Sequence, residues 1–163
     1  MLNSPFERLT EGSRFSSRGR TVTESDVHAF AAQTGDLHPQ HTDADWASRS
    51  PFGERIAHGM LVLSYAVGLV GFDPERVLAL RRISDAVFKR PVKLGDSIHV
   101  EGSVLSLNSV SDEAGLVTIG LRILNQHGQT VCRAKVEALW KRDTPLTAPA
   151  VAHADNGFVP IPL

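Results

Sequence analysis

Side chains that can move protons are densest in the segment 35–43, where Asp36, His38 and His41 fall within six positions. Pro39 fixes its own φ and pushes His38 towards an extended backbone, so the segment is stiff. A turn there can aim the carboxylate of Asp36 and the imidazole of His41 at one water molecule. Burial and mutual interaction can tune the two pKa values apart. The pair is therefore a candidate for general acid-base catalysis.

Two other interpretations of this segment remain open from spacing alone. Asp36 can cap the preceding turn while His41 is an ordinary polar loop residue, which is the commoner situation for an arbitrary Asp and His. Alternatively, Asp36, His38, His41 and His58 can bind zinc, because carboxylates and imidazoles are ordinary zinc ligands. No recognised metal motif accompanies them. We therefore predict that the protein has no metal site.

The segment 53–61 leads directly into an apolar stretch and carries Gly59 at the predicted helix start. A helix start presents unpaired backbone N–H groups and the positive end of the helix dipole. Glycine lets a ligand oxygen approach the backbone closely. Gly59 is therefore a candidate for stabilising an oxyanion. The alternative is that this glycine only permits close packing of the helix on a sheet.

Helical and irregular segments surround these candidates. Thr23 and Asp26 have the spacing of a capping box that opens a helix, and Gly35 supplies its end. Residues 36–57 are predicted to form an ordered loop, with one helical turn near residues 44–47. The loop therefore overhangs whatever the following helix packs against.

The stretch 58–70 is apolar on nearly every side, which predicts a helix enclosed by other structure. Alternating or β-rich patterns predict four strands after it. These are Val77 to Phe88, Ser97 to Leu107, Leu116 to Leu124 and Thr130 to Trp140. The fold class is therefore α+β, with the four strands forming an antiparallel meander, a sheet wrapped around one long apolar helix.

Length and composition suit one globular domain, since the chain has 163 residues and 42% hydrophobic side chains. We assign this domain to residues 1–143. The segment 144–163 is rich in Pro, Ala and Thr without periodicity, so we expect a mobile tail there.

Charge and cysteine content exclude several classes of function. With 17 basic and 18 acidic side chains, the net charge of −1 predicts no binding to nucleic acid or to an anionic membrane. Cys132 is the single cysteine, which excludes an intrachain disulfide. Residues 1–15 do not resemble a secretory signal, and the longest apolar stretch, 59–72, is too short to span a bilayer. We therefore expect a cytoplasmic protein.

The motif DLHPQH at 36–41, followed by HGML at 58–61, resembles the MaoC-type (R)-specific enoyl-CoA hydratases of the hot-dog fold. The resemblance covers about residues 5–142. It includes the capped helix before the first motif, the strand exit at 88–92 and the Gly95-Asp96 turn. One departure is His38, because the family usually has asparagine before the proline.

The resemblance implies reversible hydration of trans-2-enoyl thioesters to (R)-3-hydroxyacyl thioesters, with no metal or redox cofactor. By position, Asp36 and His41 match the family's catalytic pair, and Gly59 matches the residue whose N–H holds the thioester oxygen. Some members have a helper serine farther along the helix, for which Ser64 is the nearest candidate. His38 and His58 are further candidates for binding the substrate.

The implied partners are an acyl-CoA or acyl carrier protein substrate and a second copy of the chain in a homodimer. Arg82, Lys89 and Arg90 are placed where they can meet a phosphate of the carrier, although exposed basic residues can also simply keep a strand soluble. Two rival functions are hydrolysis of acyl-CoA by a hot-dog thioesterase and non-catalytic binding of an acyl thioester.

Overall fold

The computed structural model describes residues 2–143, so the predicted tail at 144–163 lies outside the described residues. A short 3-10 helix, Phe6–Arg8, precedes the main elements. The helices are α1 (Glu24–Thr34), α2 (Pro39–Thr42), α3 (Ala44–Ser48) and α4 (Gly59–Val70). The strands are β1 (Arg14–Ser16), β2 (Arg20–Thr21), β3 (Val77–Phe88), β4 (Ser97–Ser109), β5 (Ala114–Asn125) and β6 (Thr130–Lys141).

All strands join one antiparallel sheet in the order β1-β4-β5-β6-β3, and β2 also pairs with β4. The meander expected from the sequence holds for β4, β5 and β6, but β3 pairs with β6 rather than with β4. Three strand spacings amount to about 14 Å, and the connection 89–96 is long enough to cross them. The sequence predicts the strands but not this crossover.

The core lies between α4 and the inner face of the sheet. Leu61, Val62 and Ala66 of α4 are buried in one cluster with the strand residues Ile119 and Trp140. One stripe of α4 is exposed, at Met60, Ser64 and Gly68. The prediction of a helix enclosed on nearly every side is therefore wrong for this stripe, because the sheet covers only one side of the helix. Within residues 2–143, no helix is both long and apolar enough to cross a membrane.

The predicted capping box of α1 is confirmed. The Thr23 side chain accepts a hydrogen bond from the Asp26 N–H, and the Asp26 carboxylate accepts one from the Thr23 N–H. Burial alone would raise the pKa of Asp26, but hydrogen bonds from Thr23 and Tyr65 and the charge of Arg20 lower it to about 2. Because Tyr65 lies on α4, this cluster ties α1, and the segment that follows Gly35, to the long helix.

Candidate active site

The helical turn predicted near residues 44–47 is present as α3, but the segment after Gly35 also forms α2, where only a loop was predicted. Pro39 occupies the first position of α2, and His38 Nδ1 accepts a hydrogen bond from the Gln40 N–H at 3.1 Å. The His38 ring also lies edge-on to Trp46, with ring centroids 5.3 Å apart. Nδ1 is bonded to Cγ, as Oδ1 is in asparagine, so His38 caps the helix as an asparagine does. The structure gives His38 this capping contact rather than a place in the cavity described below.

Gln40 is a residue that the sequence analysis missed. It is buried, its side chain donates to the carbonyl of Glu54 at 3.0 Å, and its own carbonyl accepts from the Ile56 N–H at 3.4 Å. The Ala57 N–H in turn donates to the carbonyl of Val92 at 2.8 Å. Gln40 thus joins α2 to the segment that precedes α4. An amide in a short polar segment carries no signal of this burial.

His41 has one ring nitrogen committed and one open. Its Nδ1 lies 2.7 Å from the carbonyl of Ile56, which can only accept, so Nδ1 carries the proton. In the neutral ring, Nε2 then holds the lone pair. Burial lowers the pKa of His41 and outweighs the Ile56 hydrogen bond and the Asp36 charge, which act in the opposite direction. His41 is therefore suited to accept a proton near neutral pH.

His58 lies behind His41 in the protein interior. Its side chain is 2% exposed, and its ring stacks on His41 with centroids 3.8 Å apart and an interplanar angle of 29°. Its Nε2–H donates to the main-chain carbonyl of Asp36 at 3.0 Å. The sequence analysis placed His58 among the substrate-binding residues. The structure instead buries it against the catalytic candidates.

The structure brings Asp36 and His41 together. One side-chain atom of each residue, a carboxylate oxygen of Asp36 and one ring nitrogen each of His41 and His58, lies within 4.8 Å of the other two. A single water molecule can bridge two polar groups at such a separation. The convergence that the stiff segment predicts is therefore present.

These three residues are poorly arranged for a metal ion. Tetrahedral zinc needs lone pairs that converge at about 2.0–2.2 Å from the ion. The lone pairs of the His41 and His58 rings lie in their ring planes, which are stacked and only 29° from parallel. His41 Nδ1 and His58 Nε2 also face backbone carbonyls. The geometry fits proton transfer better than metal binding.

A cavity of about 290 Å³ opens beside His41 and the start of α4. His41 and Gly59 line it together with apolar side chains. These are Phe52, Ile56, Ala57, Val62, Phe88, Pro91, Val92 and Val131. A Cβ on Gly59 would come within 2.9 Å of the Phe88 ring, so the cavity wall touches this glycine directly. The side chain of His58 does not cap α4, which leaves the backbone N–H groups of the helix start without a side-chain cap.

The remaining predicted substrate-binding residues are divided by the structure. Lys89 and Arg90 line the cavity, and Arg90 also donates to the carbonyl of Thr130 at 2.9 Å. Arg82 does not line it and pairs with Glu137 at 2.6 Å. Ser64 lies on the exposed stripe of α4 and donates to the carbonyl of Met60 at 2.8 Å. The fold therefore places Lys89 and Arg90, but not Arg82 or Ser64, beside the candidate catalytic groups.

A larger groove of about 700 Å³ lies on the outer face of the sheet. None of the predicted site residues lines it. Its charged side chains include the ion pairs of Arg122 with Glu101 at 3.7 Å and Lys135 with Asp85 at 2.8 Å. The smaller cavity is the better candidate site because it is lined by His41, the partner of Asp36, and by Gly59 at the helix start.

Comparison with known protein families assigns the chain to one of them. The model described as a MaoC like domain matches residues 6–126, which is most of the chain. The chain belongs to this MaoC-like family. The family predicted from the two motifs is therefore confirmed.

Individual relatives of this MaoC-like chain support the same assignment. It is 33% identical over 102 residues to the (R)-specific enoyl-CoA hydratase of Rhodospirillum rubrum. The aligned region covers 63% of this chain and 70% of the relative. The monoamine oxidase regulatory protein from Archaeoglobus fulgius has a similar structure, with a TM-score of 0.81, 38% identity, and coverage of 85% of this chain and 95% of that chain. R-hydratase PhaJ1 from Pseudomonas aeruginosa matches with a TM-score of 0.70, 31% identity, and 99% and 97% coverage.

These similarities confirm the predicted hot-dog fold. Relatives named hydratase or dehydratase are hydro-lyases, so the predicted enzyme class is confirmed as well.

Proposed function

We propose that this MaoC-like protein catalyses the reversible hydration of trans-2-enoyl thioesters to (R)-3-hydroxyacyl thioesters. The observation that carries the proposal is the approach of Asp36 to His41, within 4.8 Å, next to a cavity lined by His41 and Gly59. The names of the relatives support the same reaction class.

His41 activates the water in this proposal. Its open Nε2 takes a proton from the water while the water oxygen bonds to the β carbon of the enoyl group. The electron pair of the double bond shifts towards the thioester, and negative charge develops on its oxygen. The Gly59 N–H at the start of α4 stabilises that enolate. One preorganised donor of this kind lowers the activation free energy by about 3 kcal/mol.

Asp36 completes the proton balance. Its carboxylate receives the proton that His41 took from the water and delivers it to the α carbon. One water molecule is consumed, and both catalytic groups regain their starting protonation states. The addition changes no net oxidation state, so no redox cofactor is needed, and the stacked rings of His41 and His58 are poorly arranged for a metal. We propose that neither takes part.

The substrate is carried as a thioester of coenzyme A or of acyl carrier protein. Lys89 and Arg90 line the cavity and are the basic side chains we assign to the phosphates of the carrier. Lys89→Ala is expected to raise KM for the thioester while kcat changes little, since this charge contacts the carrier and not the reacting carbons. Steady-state kinetics with enoyl-CoA measure both constants.

We further propose a homodimer that pairs along β3. This edge strand exposes a row of apolar side chains, each 38–49% exposed, namely Leu78, Leu80, Ile83, Val87 and Phe88. An exposed apolar edge strand is a template for pairing with another chain. Ile83→Lys is expected to shift the protein towards monomer in light scattering coupled to size-exclusion chromatography. A wild-type monomer at micromolar concentration would contradict the dimer.

Incubation of the purified protein with trans-2-enoyl-CoA thioesters of several chain lengths tests the function. Loss of the conjugated absorbance with formation of the (R)-alcohol is the expected result. Release of free thiol from acyl-CoA without hydration would instead identify a thioesterase. Tight binding of the thioester without any turnover would identify a non-catalytic binding protein.

A further inference from the structure

His58 makes one contact with each member of the proposed catalytic pair. Its Nε2–H donates to the main-chain carbonyl of Asp36, a residue 22 positions earlier in the chain. Its ring stacks on His41, and Phe30 of α1 lies against it with centroids 5.0 Å apart. His58 itself is buried and does not line the cavity.

We propose that His58 is a positioning residue for the Asp36–His41 pair. Its Nε2–H holds the main chain that carries the Asp36 carboxylate, and its ring holds the plane of the His41 imidazole. This inference rests on the proposed hydratase reaction for its kinetic effects, whereas its effect on His41 itself does not depend on that reaction.

The polar chemistry of His58 argues against simple packing. Its Nδ1 is buried without a hydrogen-bond partner in the described part of the chain. An unsatisfied buried polar atom is unfavourable, and a phenylalanine ring would fill similar space without that penalty. The gain that offsets this cost is the hydrogen bond from the other ring nitrogen to Asp36.

The position of His58 in the chain points the same way. It occupies the N-cap of α4, yet its side chain makes no cap. A side-chain oxygen or nitrogen that accepted from the helix start would compete for the N–H groups we assign to the thioester oxygen. His58 therefore serves the catalytic pair and leaves the helix start open.

Burial is the main cause of the lowered pKa of His41, and the neighbouring His58 adds to it. A proton on one stacked ring disfavours a proton on the other, and the pKa of His41 is lowered in part by His58. The other titratable groups that act on His41 are Asp36 and His38, and α1 contributes the apolar Phe30 to the same stack. Replacing the His58 imidazole with a side chain that cannot carry a proton should therefore make His41 easier to protonate.

Two variants separate the two contacts. His58→Gln keeps an amide donor at a similar reach but loses the ring, whereas His58→Phe keeps the ring shape and loses the donor. For His58→Phe we expect kcat for enoyl-CoA hydration to fall about 10²-fold, since small displacements of catalytic groups have effects of this size. KM should change less than about threefold. His58→Gln should recover about tenfold of the lost kcat. His127→Gln, in the turn between β5 and β6, is the matched surface control.

Proton NMR titration of the His41 imidazole in the full chain supplies a readout independent of turnover. The pKa of His41 should rise in both His58 variants and stay unchanged in His127→Gln. Thermal unfolding of each variant verifies that it is folded. If His58→Phe does not fold, His58→Gln still tests the titration.

Several results would overturn the positioning role. An unchanged His41 titration in the folded His58 variants would do so whether or not the wild type hydrates enoyl-CoA. Equal loss of kcat in His58→Gln and His58→Phe would show that the donor is not what matters. If the wild type lacks hydration activity but the pKa of His41 still rises in the His58 variants, the proposed function is contradicted and the positioning role remains supported.

Discussion

Two helices in this protein start with a histidine in nearly the same backbone conformation, yet the two side chains act differently. His38 before α2 has φ −53° and ψ 131°, and His58 before α4 has φ −59° and ψ 135°. His38 is exposed and caps its helix through Nδ1. His58 is buried, leaves its helix without a side-chain cap and turns Nε2 towards Asp36. The local conformation permits both roles, and the surroundings select one.

The first residue of each helix adds to this difference between a capped and an uncapped helix start. Pro39 begins α2 and has no N–H to offer, whereas Gly59 begins α4 with an N–H and no side chain to cover it. A closed helix start holds His41 rigidly in place. An open one can bind the oxygen of a ligand. The candidate site combines the closed start of α2 with the open start of α4.

Substituting the two proposed catalytic side chains, those of Asp36 and His41, should have the largest effect on activity. We expect Asp36→Asn and His41→Gln each to lower kcat for enoyl-CoA hydration by about 10² to 10⁴. The asparagine keeps the shape of Asp36, and the glutamine can still donate to the Ile56 carbonyl. Thermal unfolding should change little for either variant. Near-normal hydration by either one would contradict the acid-base assignment.

Covering the open helix start should come next. Gly59→Ala places a methyl group 2.9 Å from the Phe88 ring at the point assigned to the thioester oxygen. We expect kcat/KM to fall about 10²-fold, as for the loss of one oxyanion donor.

Gly68→Ala is the control for this substitution. Gly68 lies in the same helix, and a Cβ there would meet nothing within 4 Å apart from the helix's own backbone. It should leave kcat/KM unchanged and raise the free energy of unfolding by about 0.5–1 kcal/mol. Equal kcat/KM values for the two alanine variants would mean that the open helix start has no part in catalysis.

The pH dependence of activity tests the proposed role of His41, which follows the closed helix start and stacks on the buried ring of His58. His41 must be neutral to accept a proton, and burial lowers its pKa below the usual 6.5. As the pH falls, activity should therefore persist through 6.5 and be lost only below it. The acid limb of kcat/KM against pH in the free enzyme measures this value. A midpoint at or above 6.5 would be inconsistent with a half-buried His41 whose pKa is lowered.

The smallest effect is expected at the closed helix start. His38→Asn should preserve the cap and leave both stability and kcat close to those of the wild type. His38→Ala should lower the free energy of unfolding by about 1 kcal/mol, the usual cost of losing a cap. Chemical denaturation compares the two variants. If asparagine destabilised the protein as much as alanine, the cap would not explain the histidine.

Strongly periodic elements were predictable from the sequence. The prediction for β3, Val77 to Phe88, agrees with the structure at both ends, and β6 extends one residue beyond the predicted Trp140. The Thr23 capping box and the glycine end of α1 were likewise recognised from local chemistry. Such patterns depend on neighbours within a few positions, so a single sequence contains them.

Short elements and distant pairings were not predictable in the same way. The four-residue helix α2 shows no periodicity, and its cap is a histidine rather than a residue usual at that position. The pairing of β3 with β6 joins strands that are separated in the chain by β4 and β5. Arg82 was expected at the carrier phosphate, but the register of this pairing places it against Glu137.

The amino-acid sequence determines that Asp36 and His41 flank a rigid proline and that an apolar helix begins at Gly59. Only the tertiary structure decides which ring nitrogen of each histidine is free. Those choices depend on carbonyl groups 15 and 22 residues away, at Ile56 and Asp36. Packing brings these groups into a partly buried site, where a polar atom shielded from water must find a partner or remain unfavourably unsatisfied.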